Sequence, residues 1–176
     1  MRFSLFLPAL LALLTCAPAS SQNKAPSGYD DLNGDWVGTL TYTNYQDDAS
    51  RVTLPLTATA SVARDPSLDT DGLRIVVSFT EPDGSSGGTR TTFLTPLSDG
   101  SDVFGYDGER WPLVQHLATD GLVQYVIERD DLDNNRLARI RHTITYQDGV
   151  LTDQKEVRYE GTDAFFERNL FRFTRP

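Results

Sequence analysis

Three ionisable residues on two neighbouring segments, His142, Asp153 and Lys155, are the side chains whose types and spacing best suit a binding site. The segments flank Asp148-Gly149, a dipeptide that favours a type I′ hairpin turn because both of its residues must adopt positive φ. A two-residue turn at this point places His142 opposite Lys155 and Ile144 opposite Asp153. All three ionisable side chains then point to the same face of the hairpin.

That face is otherwise apolar, which makes the three residues unusual. The predicted apolar-face pairs are Tyr146–Leu151, Ile140–Val157 and Ala138–Tyr159, and the predicted polar-face pairs are Thr145–Thr152, Thr143–Gln154 and Arg141–Glu156. A slip of one residue would mix the two faces, so the pattern supports this register. The same register puts Arg139 opposite Arg158, and this pair requires a nearby carboxylate.

Two interpretations of the buried ionisable groups remain open. An unpaired buried charge costs several kcal/mol, so each group needs a partner, water or a ligand. A three-residue loop at 161–163 would place Asn169 opposite Lys155 and Glu167 opposite Val157. In one interpretation, Lys155 and His142 bind the anionic head group of a ligand with an apolar tail. In the other, Asp153, Lys155 and Glu167 form an ion-pair network that only fills the interior.

The elements that carry these residues are strands, because apolar and polar residues alternate with a period of two. The predicted strands are Asp35–Tyr45, Val52–Val62, Leu73–Thr80, Thr89–Leu97, Arg110–Ala118, Gly121–Glu128, Asn135–Gln147, Val150–Glu160 and Ala164–Thr174. The even-numbered residues of the second strand form its apolar face, which would line the internal cavity of a ligand-binding barrel. Pro55 within that strand lacks an amide donor, which indicates an edge or a bulge. Leu113–Leu117 is predicted to form a short helical turn.

Asp-Gly and similar turn signals separate these strands, so consecutive strands are expected to be antiparallel neighbours. Twist accumulates in a long antiparallel meander, and closure removes its free edges. The sequence therefore predicts an all-β fold, an up-and-down meander that closes into a barrel of about 8–10 strands. A sandwich of two sheets is the alternative.

Gly34-Asp35-Trp36, at the start of the first strand, resembles the Gly-x-Trp signature of the lipocalin-like (calycin-type) barrels. The resemblance implies that Trp36 closes one barrel end and that an arginine near the end of the chain packs over its ring. The alternation of side chains along the strand favours Arg175 over Arg172 as the arginine that packs over Trp36. It also implies that the barrel binds a small, mostly apolar ligand, so Trp36 is itself a candidate ligand contact. Asn169 joins the candidates because of its place opposite Lys155.

The N-terminus has the pattern of an export signal. Met1-Arg2 is followed by an apolar run that is too short to span a bilayer, and Ala17-Pro18-Ala19 fits a signal peptidase site. The segment that ends at Cys16 also resembles a lipobox, in which the cysteine is acylated. The predicted division is a signal at 1–19 (or a lipoprotein signal that ends before Cys16), a linker at 20–31 and a barrel domain at 32–176. The protein is then exported to the periplasm, the outer membrane as a lipid-anchored protein, or the extracellular space.

Composition excludes several classes. The 176-residue chain has a net charge of -9, which argues against a nucleic-acid partner. With Cys16 as its one cysteine and only two histidines, it offers no disulfide, thiol nucleophile or convincing zinc site, and no cofactor is expected. The match of 84–88 to G-x-S-x-G lies between strands, so a nucleophile elbow is not expected.

The sequence favours a binding protein over an enzyme and identifies no catalytic residue. We expect an exported barrel that binds a small amphipathic or anionic apolar molecule through Trp36, His142, Asp153, Lys155 and Asn169. The alternative is a structural or protein-interaction lipoprotein whose barrel is filled and holds no ligand. Neither a membrane-spanning segment nor a particular oligomeric state is indicated.

Overall fold

A computed structural model describes residues 30–44, 50–81, 83–97 and 102–176. Within these ranges ten antiparallel strands form one closed barrel, in which neighbours along the chain pair and the first strand pairs with the last. The strands are β1 (Gly34–Thr43), β2 (Arg51–Asp65), β3 (Thr70–Thr80), β4 (Ser86–Pro96), β5 (Val103–Tyr106), β6 (Glu109–Thr119), β7 (Leu122–Asp133), β8 (Arg136–Gln147), β9 (Val150–Tyr159) and β10 (Phe166–Thr174). The predicted all-β meander and its closure are confirmed.

The segments predicted for export, 1–19 with Cys16, lie outside the described residues, as does the linker up to residue 29. The described part begins with one turn of 3-10 helix at Asp30–Leu32, which includes the last two residues of the predicted linker. Leu32 is buried against the barrel. Among the described residues, no helix is both long enough and apolar enough to cross a bilayer.

The β8–β9 hairpin has the predicted register throughout. Its pairs run from Gln147 opposite Val150 to Ala138 opposite Tyr159. Both turn residues, Asp148 and Gly149, have positive φ (50° and 78°), as a type I′ turn requires. A local turn and two alternating faces are therefore sufficient to set this register.

A carboxylate lies beside the like-charged pair of Arg139 and Arg158, as predicted. It belongs to Glu128 on β7, which accepts a hydrogen bond from Arg139 Nε at 3.0 Å and another from Arg141 Nε at 2.6 Å. Asp130 Oδ1 lies 3.4 Å from Arg139 Nη1. Carboxylates of β7 thus neutralise Arg139 and Arg141.

The predicted register of β10 is correct at one position and wrong at another. Asn169 lies opposite Lys155 as expected, but Val157 pairs with Phe166, and Glu167 pairs with a residue of the outer face. A β-bulge between Glu167 and Asn169 inserts one extra residue and shifts the start of the strand by one place.

The extra residue is Arg168, and the bulge turns its side chain into the barrel, where it is fully buried. Glu167 contacts two residues of the outer face instead, an ion pair with Arg51 and a hydrogen bond from Gln154 Nε2 at 2.9 Å. The predicted network of Asp153, Lys155 and Glu167 therefore does not form.

Two strand predictions also need correction. Leu113–Leu117 is not helical but part of β6, where a bulge lies between Leu113 and Gln115. Strand β5 was not predicted, because its four residues are too few to show an alternation. Pro55 pairs with Thr39 of β1 but lies outside the β2–β3 ladder, which begins at Leu56, so its missing amide breaks no ladder bond there.

Inward side chains pack the barrel from all sides. On β2 the predicted apolar face is buried from Leu54 to Ala60, whereas Val52 is half-buried and Val62 is exposed. The core also includes Trp36, Leu73, Ile75, Val77, Leu94, Phe104, Ile127, Ile140, Ile144, Leu151, Val157, Phe171 and Phe173. Burial of each large apolar side chain contributes about 1.5–3 kcal/mol. A cavity between Ile75, Leu151 and Phe173 measures only 20 Å³.

Because successive turns of an up-and-down barrel alternate between its ends, the start of β1 and the β8–β9 turn lie at one end. The β5–β6, β7–β8 and β9–β10 connections lie at the other. The candidate site opens at this second end.

Candidate binding cleft

A cleft of about 270 Å³ opens at the end of the barrel opposite the start of β1. Inward side chains of seven strands, together with a rim leucine, line it. They are Arg90, Tyr106, Trp111, Asp131, Leu132, Ile140, His142, Lys155, Asn169 and Phe171. The residues of β2, whose apolar face was expected to line a ligand cavity, are not among them.

Three of the predicted site residues form a row across this cleft. His142 on β8 lies opposite Lys155 on β9, and Lys155 lies opposite Asn169 on β10. Adjacent strands hold them side by side, with neighbouring Cα atoms about 4.5–5.5 Å apart as in any antiparallel ladder. The row combines an imidazole, an ammonium group and an amide, all of which can donate hydrogen bonds to an anion.

Asp153, the fourth predicted residue of this group, lies behind the row and connects two side chains of the cleft. Its Oδ1 lies 2.9 Å from His142 Nδ1, and its Oδ2 accepts a hydrogen bond from the Tyr106 hydroxyl at 2.6 Å. Burial alone would raise the pKa of Asp153, but His142, Tyr106 and the charge of Arg90 hold this pKa below its ordinary value. Asp153 is therefore a buried anion at neutral pH.

Tyr106 keeps its proton in this environment. Burial raises the pKa of its hydroxyl well above the ordinary value, and the nearby charge of Asp153 raises it further. The Tyr106 ring also contacts the imidazole of His142, with ring centroids 4.3 Å apart. These contacts lock the orientation of the imidazole from two sides.

A second buried carboxylate, Asp133, binds the other polar groups at this end of the barrel. Lys155 Nζ donates to its Oδ1 at 2.7 Å, while Tyr159 and the Nε of Arg168 donate to its Oδ2 at 2.9 and 3.0 Å. Burial opposes the charge of Asp133, but the contacts with Lys155, Tyr159 and Arg168 lower its pKa overall. Lys155 is thus held in place with its stem along the cleft wall.

Aromatic rings form the apolar part of the wall. Trp111 meets the His142 ring edge-on at 5.3 Å, and the guanidinium of Arg129 lies 4.0 Å from the Trp111 ring centroid. The Trp111 indole Nε1 is buried and has no hydrogen-bond partner among the described residues. A buried donor without a partner costs free energy, so this indole group lowers the stability of the barrel.

Trp36, the remaining predicted ligand contact, lies away from this cleft at the other end of the barrel. It is buried, and its Nε1 donates to the backbone oxygen of Leu32 at 3.0 Å. The Arg175 guanidinium lies over the ring, with Cζ 4.0 Å from the centroid, and also contacts the backbone of Asp31. The structure thus separates Trp36 from the row of His142, Lys155 and Asn169.

Sequence reasoning missed Tyr106, Trp111, Asp131, Asp133 and Arg168. A second hairpin could have revealed the two aspartates. Asn134 and Asn135 both have positive φ and form the β7–β8 turn, so Asp133 pairs with Arg136 and the odd-numbered residues of β7 share the face of His142. Tyr106 lies on a short strand, Trp111 follows a tight turn, and Arg168 lies at a bulge. At none of these places does an alternation of apolar and polar residues mark the inward face.

The arrangement can bind an anion beside an apolar group. Among the described residues, no three His, Cys, Asp or Glu side chains come together as metal ligands. A comparison of the chain with models of known protein families found no match, and a search of curated proteins found none either.

Proposed function

We propose that this protein binds a small organic anion with an apolar body in the cleft at the open end of its barrel. The observation that carries the proposal is the cleft wall itself. It places the donors of Lys155, Asn169 and Arg90 beside the rings of Trp111 and Phe171. Pockets with an apolar lining and a few placed polar groups are typical of small-molecule sites.

The size of the cleft supports a small ligand. Its volume of about 270 Å³ is below the usual range of about 300–1,000 Å³ for sites of drug-sized molecules. The cavity deeper in the barrel, at 20 Å³, has room for about one water molecule. A ligand with one ring and one acidic group would fit the cleft, whereas a long acyl chain would have no room in that deeper cavity.

Two further points remain part of this proposal. The Gly34-Asp35-Trp36 start, together with the contact between Arg175 and Trp36, supports membership of the lipocalin-like barrels. The pattern of residues 1–19, or of the segment up to Cys16, supports export and a lipid anchor. Native mass spectrometry of protein purified from its source would test the proposed ligand binding directly, because a bound ligand appears as a mass adduct.

Lys155→Met tests the site with a defined probe, benzenesulfonate. We expect at least about a tenfold loss of affinity, because a charge-assisted hydrogen bond is lost. Lys155→Arg should keep most of the affinity. Arg64→Met is a matched control, since Arg64 pairs with Asp69 on an exposed turn at the opposite end of the barrel. Isothermal titration calorimetry measures the Kd of benzenesulfonate for the unaltered protein and for the three variants.

The second candidate is an interaction module with a filled barrel, and exposed leucines favour it. Leu132 and Leu137, on either side of the β7–β8 turn, are 57% and 62% exposed. If Lys155→Met lowers the free energy of unfolding but leaves affinity for every tested anion unchanged, this second function is preferred. Absence of any adduct in repeated gentle preparations would also contradict ligand binding.

A further inference from the structure

We infer that His142 is a direct ligand contact whose Nε2 atom makes anion binding proton-coupled, so that the bound complex takes up a proton on the imidazole. This inference rests on the proposed function of the cleft and adds to it the ligand class and its regulation. The ligand is an anion that presents an oxygen acceptor to a protonated imidazole, and its affinity rises as the pH falls.

The contact with Asp153 fixes the tautomer of His142. Asp153 is a buried anion, and an ionised carboxylate can only accept hydrogen bonds. The contact of 2.9 Å between Asp153 Oδ1 and His142 Nδ1 therefore requires a proton on Nδ1. In the neutral ring, Nε2 must then be the unprotonated nitrogen. Protonation of the ring turns Nε2 from an acceptor into a charged donor.

The other ring nitrogen of His142, Nε2, faces the cleft. His142 lines the cleft, and no described residue forms a hydrogen bond with its Nε2. Two aromatic rings hold the imidazole in place, because Tyr106 packs against it at an interplanar angle of 38° and Trp111 meets it edge-on. Lys155 lies directly across the strand pair. An anion in the cleft can therefore contact Nε2 and the Lys155 ammonium group together.

Several other charged or titratable side chains face the same region as His142. The titratable and charged groups that face this region are Arg90 on β4, Tyr106 on β5, Arg129, Asp131 and Asp133 on β7, Asp153 and Lys155 on β9, and Arg168 on β10. The pKa values of Asp131, Asp133 and Asp153 are lowered, and that of Tyr106 is raised by burial. These four groups thus keep their charge state between about pH 5 and 8, the range in which histidine ordinarily titrates.

The sign of the effect follows from linkage. If an anion binds the protonated imidazole more tightly than the neutral one, binding raises the affinity of His142 for its proton by the same factor. The affinity for the anion is then highest at acidic pH. Where binding takes up one proton, Kd rises by about tenfold for each pH unit.

Calorimetry on the unaltered protein tests the inference with benzenesulfonate, whose charge does not change over this range. Titrations at about pH 5.5 and pH 8, each in two buffers of different ionisation enthalpy, report both Kd and the number of protons taken up. We expect the Kd to be at least about tenfold higher at the higher pH. We also expect the protein to take up as much as one proton when the anion binds there. Benzenesulfonamide, a neutral analogue, should show neither effect.

His142→Gln should bind benzenesulfonate with a Kd that is the same at about pH 5.5 and pH 8 and that is weaker than the Kd of the unaltered protein at the lower pH. His116→Gln is the matched control, because His116 is the chain's other histidine and lies exposed on β6. It should keep the full pH dependence. Nitrogen-15 NMR of the ligand-free protein gives a readout that needs no variant, and it should place the proton of the neutral His142 ring on Nδ1.

The outcomes separate the two proposals. Binding of benzenesulfonate without proton uptake overturns the inference and leaves the proposed function in place. No binding at either pH rejects both. A neutral His142 ring with its proton on Nε2, or a pH dependence that persists in His142→Gln, overturns the inference as well.

Discussion

Removal of one hydroxyl group should reveal how strongly the buried carboxylate of Asp153 depends on its partners. Tyr106→Phe deletes the O–H group that lies 2.6 Å from Asp153 Oδ2 and keeps the ring that packs on His142 and Trp111. Both Tyr106 and Asp153 are more than nine-tenths buried, at 5% and 8% exposure, so water cannot easily replace the lost donor.

The expected cost at neutral pH is about 2 kcal/mol of unfolding free energy, the usual value for a hydrogen bond to a charged group. The pH dependence has a definite sign. Because the folded pKa of Asp153 is lowered, its contribution to stability is present above the unfolded pKa of about 3.9 and is lost as the pH falls through the folded value. The cost of Tyr106→Phe should therefore be constant above about pH 5 and should shrink below about pH 4.

Urea denaturation followed by tryptophan fluorescence measures this cost from neutral pH down to about pH 3. Tyr146→Phe is the control, because the half-buried Tyr146 hydroxyl has no hydrogen-bond partner among the described residues. It should change stability by less than about 0.5 kcal/mol. A cost of Tyr106→Phe that is below this limit at neutral pH, or equal at neutral and acidic pH, would refute the charge-assisted hydrogen bond.

Two other substitutions test the packing of β10 against its neighbours. Gly38→Ala should destabilise the barrel by about 1–3 kcal/mol in urea denaturation, because a Cβ at Gly38 would lie 1.9 Å from the backbone oxygen of Arg172. An unchanged free energy of unfolding would mean that β1 and β10 can separate at this position. Arg168→Met should cost about 3–5 kcal/mol, since Arg168 is fully buried and pairs with Asp133. Arg172→Met, at an exposed arginine of the same strand, is the control. Thermal unfolding of the two variants would show whether loss of the buried ion pair causes the destabilisation.

Much of the fold was predictable because its signals are local. The alternation of residues in strands such as β2 and the Asp-Gly turns between strands specify a meander without any knowledge of distant contacts. The β8–β9 hairpin is the clearest case. Its turn and its two alternating faces are sufficient to place His142 opposite Lys155.

The candidate site was predictable only in part. The row of His142, Lys155 and Asn169 lies in one cleft, as the strand registers required. The partners of these residues come from strands far away along the chain: Tyr106 for Asp153, and Asp133 for Lys155. No local pattern contains that information, because it depends on how the barrel closes and on the level at which each strand crosses its neighbours.

The sequence by itself determined which residues of a strand share a face and which hairpin neighbours meet, since period-two alternation and turn geometry act over a few residues. Tertiary structure decided what those faces enclose. The bulge that turns Arg168 inward and Glu167 outward exists only where β10 meets β9. It delivers the buried cation that accompanies Lys155 at Asp133. A single inserted residue reverses the alternation that follows it, so the charge inside the barrel depends on long-range pairing.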